Sequence, residues 1–170
     1  MDARSIPPQL KLPVSSWFDR MRDADGLAEL SDAAIHNIER LVDCSEFAAT
    51  LVQRDWDWFV RAIESLDEVP DSGMLDELVA DVHGMDDIDD AKPVLRRFRH
   101  RWMVHVLWRE LTGAATLKET LAALSDLADR QLDAAAGLAT KLVRERFGSV
   151  RNEDNEPVDL VILGMGKLGG

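Results

Sequence analysis

Apolar residues recur along most of this chain at the three- and four-residue steps of an amphipathic helix, and the runs are separated by recognisable caps. Val14 to Arg22 predicts a short helix with Trp17, Phe18 and Met21 on one side. Ser31 is placed to cap a helix reaching about Val42, with Ile35, Ile38, Leu41 and Val42 on its inner face. Ser45 caps a second helix, carrying Phe47, Leu51 and Val52. Asp55 caps a third, with Trp56, Phe59, Val60 and Ile63 at helical spacing. Met74, Leu75, Leu78, Val79 and Val82 mark another short amphipathic helix. Residues 1–13, interrupted by Pro7, Pro8 and Pro13, read as an irregular arm.

Two longer helices follow. The first starts at Asp90 or Ala91 with Pro93 in its first turn, where a missing N–H costs nothing. Leu95, Phe98, Trp102 and Val106 form its stripe. From Trp102 to Trp108 almost every residue is apolar, so this half is expected to be buried nearly all round, and Thr112-Gly113 ends it. Thr116 and Glu119 then make a capping box for a helix spanning about 117–147. Its residues Leu117, Leu121, Leu124, Ala128, Leu132, Ala135, Ala139 and Leu142 step by a mean of about 3.6, which predicts one stripe facing one partner throughout. Phe147-Gly148 stops a helix roughly 45 Å long at about 1.5 Å per residue.

The pattern changes at the end. After a polar, flexible stretch from Arg151 to Pro157, Leu160 to Leu163 is a short continuous apolar run, which reads as a buried strand followed by a glycine-rich turn. A lone strand is not a stable unit, and no second convincing strand is visible. The expectation is therefore a piece of a longer protein, or a disordered end. The fold class expected is mainly α: a helical bundle leading into a first strand and glycine turn.

Charge narrows the function classes. The 170 residues hold 32 acidic and 20 basic side chains, a net charge of −12, which opposes a broad nucleic-acid or anionic-membrane surface. No apolar run approaches the ~18 residues of a membrane span, and the first 30 residues contain no signal-peptide core. The one cysteine, Cys44, excludes an internal disulfide framework and fits a reducing compartment. The expected compartment is the cytoplasm, and Cys44 is expected to be packed rather than reactive.

Residues 64–90 contain 11 acidic side chains and no Lys or Arg. The basic residues concentrate instead at Arg96, Arg97, Arg99, Arg101 and Arg109, with His100 and His105. That cluster is either a surface for an anion or acidic partner, or a helix face ion-paired with the 64–90 stretch; the second is the commoner use of such faces. His36, His83, His100 and His105 show no zinc-site spacing, so no metal ligand is expected among them. The five tryptophans, at 17, 56, 58, 102 and 108, are core candidates.

Gly164-x-Gly166-x-x-Gly169 matches the dinucleotide-binding fingerprint after a predicted strand, but the helix and the acidic residue some 20 positions on that the fingerprint needs are not in this sequence. A Walker loop is excluded, because glycine would be needed at Val161 and a hydroxyl at Leu168. Four glycines within residues 164–170, beside Lys167, exceed what a plain turn requires. Clustered glycines let backbone amides approach phosphate oxygens.

The segment 158–170, VDLVILGMGKLGG, resembles the entry to the nucleotidyltransferase domain of the glutamine synthetase adenylyltransferase family. Leu95 to Leu132 resembles the helical segment just upstream of that domain. The resemblance implies three parts: a helical region over 1–150, a polar linker over 151–157, and the start of a nucleotidyltransferase α+β domain over 158–170. It implies the half of a bifunctional enzyme that removes AMP from a glutamine synthetase tyrosine by phosphorolysis, with a PII signalling protein as regulator and ATP, ADP and phosphate as small-molecule partners. It places Gly169 and Gly170, with Gly166 and Lys167, against nucleotide phosphates. The family's acidic pair, which binds Mg2+, is expected about ten residues further on. No catalytic residue is therefore assigned, and this chain alone is expected to be inactive. Two other readings stay open: a non-catalytic helical interaction module, and a dinucleotide-dependent enzyme.

Overall fold

Serine and threonine oxygens start the helices where the chain spacing places them. In the computed structural model, which describes residues 14–164, Ser31 Oγ accepts from the Ala34 amide and Ser45 Oγ from the Ala48 amide, both at 3.2 Å. Seven α-helices result among the described residues. They are α1 (Val14–Met21), α2 (Asp32–Cys44), α3 (Glu46–Arg54), α4 (Trp56–Ala62, running into a 3-10 turn at Ile63–Ser65), α5 (Gly73–His83), α6 (Ile88–Thr112) and α7 (Leu117–Phe147). The capping box forms in full: the Thr116 amide donates to Glu119 Oε2 at 2.7 Å, and the Glu119 amide donates to Thr116 Oγ1 at 3.3 Å. The bonds that the Thr116 amide and hydroxyl donate to the Glu119 carboxylate hold its pKa below the ordinary range. Gly113, at φ 78°, supplies the left-handed turn that ends α6.

The helices divide into two compact units. The first comprises residues up to 70 together with 101–120; the second comprises 71–100 and the residues from 121 onward. Each of the two long helices contributes to both.

The first unit is built on aromatic residues. Trp17, Trp56, Phe59 and Trp108 are buried with Ile38, Leu41, Val52 and Val104. The Trp17 and Trp56 rings meet edge-on at 6.2 Å between centroids, and Phe59 and Trp108 at 5.6 Å. Such pairs add roughly 0.5–1.5 kcal/mol each beyond their buried area. Every buried indole N–H in this group has an acceptor: Trp17 to the Ala49 carbonyl, Trp56 to the Asp25 carbonyl, and Trp108 to Asp67 Oδ1. From Trp102 to Arg109 no residue of α6 is exposed, as its apolar sequence predicts.

The second unit has a smaller, aliphatic core of Leu78, Val82, Ala91, Ala134 and Leu138, with Leu95, Phe98 and Leu142 packed at its edge. The seam of α7 is not the predicted stripe. Leu127, Ala134 and Leu138 are the buried residues, whereas Leu121 is 55% exposed and the rest of the stripe is half-covered or exposed. The buried line is rotated by roughly a quarter turn from the stripe, at about 100° per residue. The seam includes residues that an apolar pattern cannot see. Gln131 donates to the Leu95 carbonyl at 2.8 Å, and Gly137 lies under His83. A Cβ at Gly137 would come within 1.9 Å of His83 Nε2, so any larger residue there forces the His83 ring to move.

Other expectations also need correction. Asp55 occupies the N-cap position of α4 but makes no side-chain cap bond, because its carboxylate is taken by Arg101. Phe47 is 47% exposed rather than buried with Leu51 and Val52. Cys44 is exposed at the last position of α2, away from the Ile38, Leu41 and Val42 face, so it is not packed. α6 begins at Ile88 rather than at Asp90, and Asp87 Oδ1 accepts from the Asp89 amide at 2.7 Å. Pro93 therefore lies inside the helix, beyond the first turn. Residues 1–13 fall outside the described residues.

Candidate functional site

Of the predicted phosphate-binding residues, Gly166, Lys167, Gly169 and Gly170 lie outside the described residues, and Gly164 is the last residue described. The approach to them is built as follows. Residues 150–158 close into a loop on their own bonds: the Asn152 amide donates to the Glu156 carbonyl, and the Val158 amide to the Val150 carbonyl, both at 3.0 Å. Asn155 takes the left-handed turn at φ 64°, a conformation asparagine tolerates, and Arg151 and Pro157 form an isolated antiparallel bridge. Arg144 of α7 then pairs with Asp159 at 2.5 Å, which fastens the start of the apolar run to the helix.

The run itself is not a buried strand. Leu160, Val161, Ile162 and Leu163 pair with no strand among the described residues, and Leu163 is 81% exposed. The physical reason is the one that made the reading conditional: strand amides and carbonyls need neighbouring strands, and the described residues supply none. Leu160, Ile162 and Gly164 instead border a cleft of about 300 Å3 with Asp129, Leu132, Asp133 and Ala136 of α7. Its charged lining is two carboxylates, so this cleft repels phosphate.

A second hollow in the same unit, of about 560 Å3, is lined by Ser72, Leu75, Asp76, Asp126, Asp129, Arg130 and Asp133. Arg130 pairs with Asp76 at 2.9 Å and approaches Asp133 at 3.9 Å. The spacing of Asp126, Asp129 and Asp133 along one face of α7 is legible in sequence. Among the described residues no three His, Cys, Asp or Glu side chains gather to hold one ion.

The basic concentration on α6 splits in two. In the first unit, Arg101 makes two bonds to Asp55, at 2.6 and 3.1 Å, and lies over the Trp58 ring at 5.2 Å. Arg109 is buried and donates to the Asp67 and Ala114 carbonyls. His105 is bonded to the Glu68 carbonyl at 3.0 Å, and burial pushes its pKa below the ordinary 6.5. These residues meet the expected acidic stretch only at Asp67 and Glu68, mostly through backbone carbonyls. In the second unit Arg96, Arg97 and Arg99 are exposed. Lys141 closes the end of α5, donating to the Met85 carbonyl at 3.0 Å and to Asp86 at 2.7 Å; the bond to Asp86 raises its pKa and lowers that of Asp86.

The family model described as glutamate-ammonia ligase adenylyltransferase matches residues 35–170. A bifunctional glutamine synthetase adenylyltransferase/adenylyl-removing enzyme of Pseudomonas aeruginosa is 34% identical over 154 residues, covering 86% of this chain and 16% of that protein. The protein of the same description from Shewanella loihica is 29% identical over 173 residues, covering 100% of this chain and 18% of its own length. That from Thioalkalivibrio sulfidiphilus reaches 46% identity over 76 residues, 45% of this chain and 8% of its own. The chain thus spans less than a fifth of the length of these curated relatives. No solved structure matches it.

Proposed function

The chain belongs to the glutamate-ammonia ligase adenylyltransferase family, and we propose that it supplies the helical lead-in and the opening phosphate-binding turn of that family's adenylyl-removing half. The observation that supports this reading is the family match over residues 35–170, which takes in the α6–α7 helices and the glycine-rich end together.

In the proposed reaction a phosphate oxygen attacks the phosphorus of an adenylylated tyrosine on glutamine synthetase. The bond from phosphorus to the tyrosine oxygen breaks, and ADP and free tyrosine leave. Amides at Gly166, Gly169 and Gly170, with the Lys167 ammonium, are assigned to the phosphates, where fixed N–H donors stabilise charge as it develops. Magnesium is the metal proposed for the reaction, but the residues present do not fit it. Among the described residues no group of three ligating side chains exists, and the family's acidic pair is not in this sequence. No step is therefore routed through the ion. A PII protein as regulator and a cytoplasmic location complete the proposal; among the described residues no helix is long and apolar enough to cross a membrane.

The test is phosphorolysis of adenylylated glutamine synthetase by this chain alone, followed as ADP release. The expected result is no turnover, since glycines without metal ligands cannot neutralise the transferring group. Measurable turnover overturns the division of labour proposed here. Translation of the gene in frame past Gly170 is the companion test, and the lack of an acidic pair there contradicts the reading.

A further inference from the structure

We propose that the outward ridge of α6 carrying Arg96, Arg97 and Arg99 is a docking surface for an acidic polypeptide segment. The inference starts from a contrast along one helix. The cations on either side of the ridge are engaged: Lys92 with Asp89 at 2.7 Å, Arg101 with Asp55, and Arg109 with two carbonyls. Arg96, Arg97 and Arg99 are exposed, and none has a hydrogen bond or ion pair among the described residues. This occurs in a chain with 32 acidic side chains, 11 of them in residues 64–90. A helix merely balancing its own charge would have met some of them.

The placement is set by the core. Ala91, Leu95 and Phe98 turn inward. On a helix of about 100° per residue, Arg96 then faces away from them, with Arg97 and Arg99 roughly 100° and 60° to either side. Arg96 and Arg99 are neighbours three residues apart on the helix surface, whereas Arg97 projects to the other side, so the three cations cover more surface than one small anion can. A lone phosphate or carboxylate can therefore meet Arg96 and Arg99 but not all three. An extended peptide is different, because its alternate side chains are spaced at roughly 7 Å and can meet successive cations. A nucleic acid meets the same repulsion from a net charge of −12 as an acidic peptide does, and an oligonucleotide is therefore the competing probe in the test below.

The probe is a fluorescently labelled poly-glutamate peptide, followed by anisotropy against this chain in about 0.15 M salt, where a screening length of about 8 Å confines the peptide to local charge. The expected result is saturable binding that the triple variant Arg96→Glu, Arg97→Glu and Arg99→Glu weakens by roughly tenfold or more, and that about 1 M salt abolishes. The triple Arg→Lys variant should keep most of the binding, which shows that charge rather than fold was lost; unchanged far-ultraviolet circular dichroism checks the fold independently. Absence of binding, or equal binding by the triple glutamate variant, overturns the proposal. Tighter binding of a single-stranded oligonucleotide than of the peptide overturns the assignment to a polypeptide.

Discussion

The first unit is closed and the second is open. All five tryptophans belong to the first, where aromatic rings interlock, the buried indole N–H groups are satisfied, and Arg109 is buried against two carbonyls. The second has an aliphatic core with a small-residue seam at Ala134 and Gly137. Its unpaired arginines, its exposed apolar run and the approach to the glycines all face outward. The first unit thus gathers its largest side chains into one buried core, and the second leaves its unpaired arginines and its apolar run at the surface.

The comparison is broken most severely at Phe59. This residue is fully buried and touches the rings of Trp56, Trp58 and Trp108. Phe59→Ala is expected to cost about 3–5 kcal/mol, through lost transfer energy and an unfilled cavity. Because the tryptophans all lie in the first unit, urea unfolding followed by their emission reports that loss selectively. A shift in the midpoint equivalent to less than about 1 kcal/mol would show that the aromatic core is not what holds this unit together.

A smaller effect is expected at the seam of the second unit. Gly137→Ala gains roughly 1 kcal/mol of helix propensity but drives a methyl group into the His83 ring, and overpacking costs about 1–3 kcal/mol. The net expectation is a loss of about 1 kcal/mol, read from the thermal midpoint by circular dichroism. Adding His83→Ala should recover stability in the Gly137→Ala background while costing stability in the parent. Additive effects of the two substitutions would contradict the close approach.

The smallest effect is a pH dependence at His105. Its pKa in the folded chain lies below 6.5 because burial disfavours the charged ring. The unfolded chain therefore binds the proton more readily. Stability from this residue is fully present above 6.5 and is lost as pH falls below it, down to the folded pKa. His105→Gln should flatten stability across that window in urea titrations at stepped pH. An unchanged slope would place the dependence elsewhere.

Much of the fold was legible because local rules agreed with tertiary packing. The bounds of α7, its capping box and the burial of Trp102 to Trp108 all follow from residues read in order. The seam of α7 was not legible, because it depends on what Gln131 and Gly137 do for a neighbouring helix rather than on their polarity. Asp55 looked like a cap because the competing cation, Arg101, is 46 residues away. The apolar run at 160–163 looked like a strand because its composition is that of one, but pairing is a property of neighbours that periodicity does not reveal. The glycines of 164–170 stand out in sequence by their density and by family resemblance, and the described geometry bears only on the path to them.

The most direct measurement is a nuclear magnetic resonance titration of the labelled chain with ADP. The account predicts amide shifts at Gly166, Lys167, Gly169 and Gly170, with the amides of the sealed first unit unmoved. Perturbations centred on α1–α4, or none at the glycines at millimolar nucleotide, would contradict it.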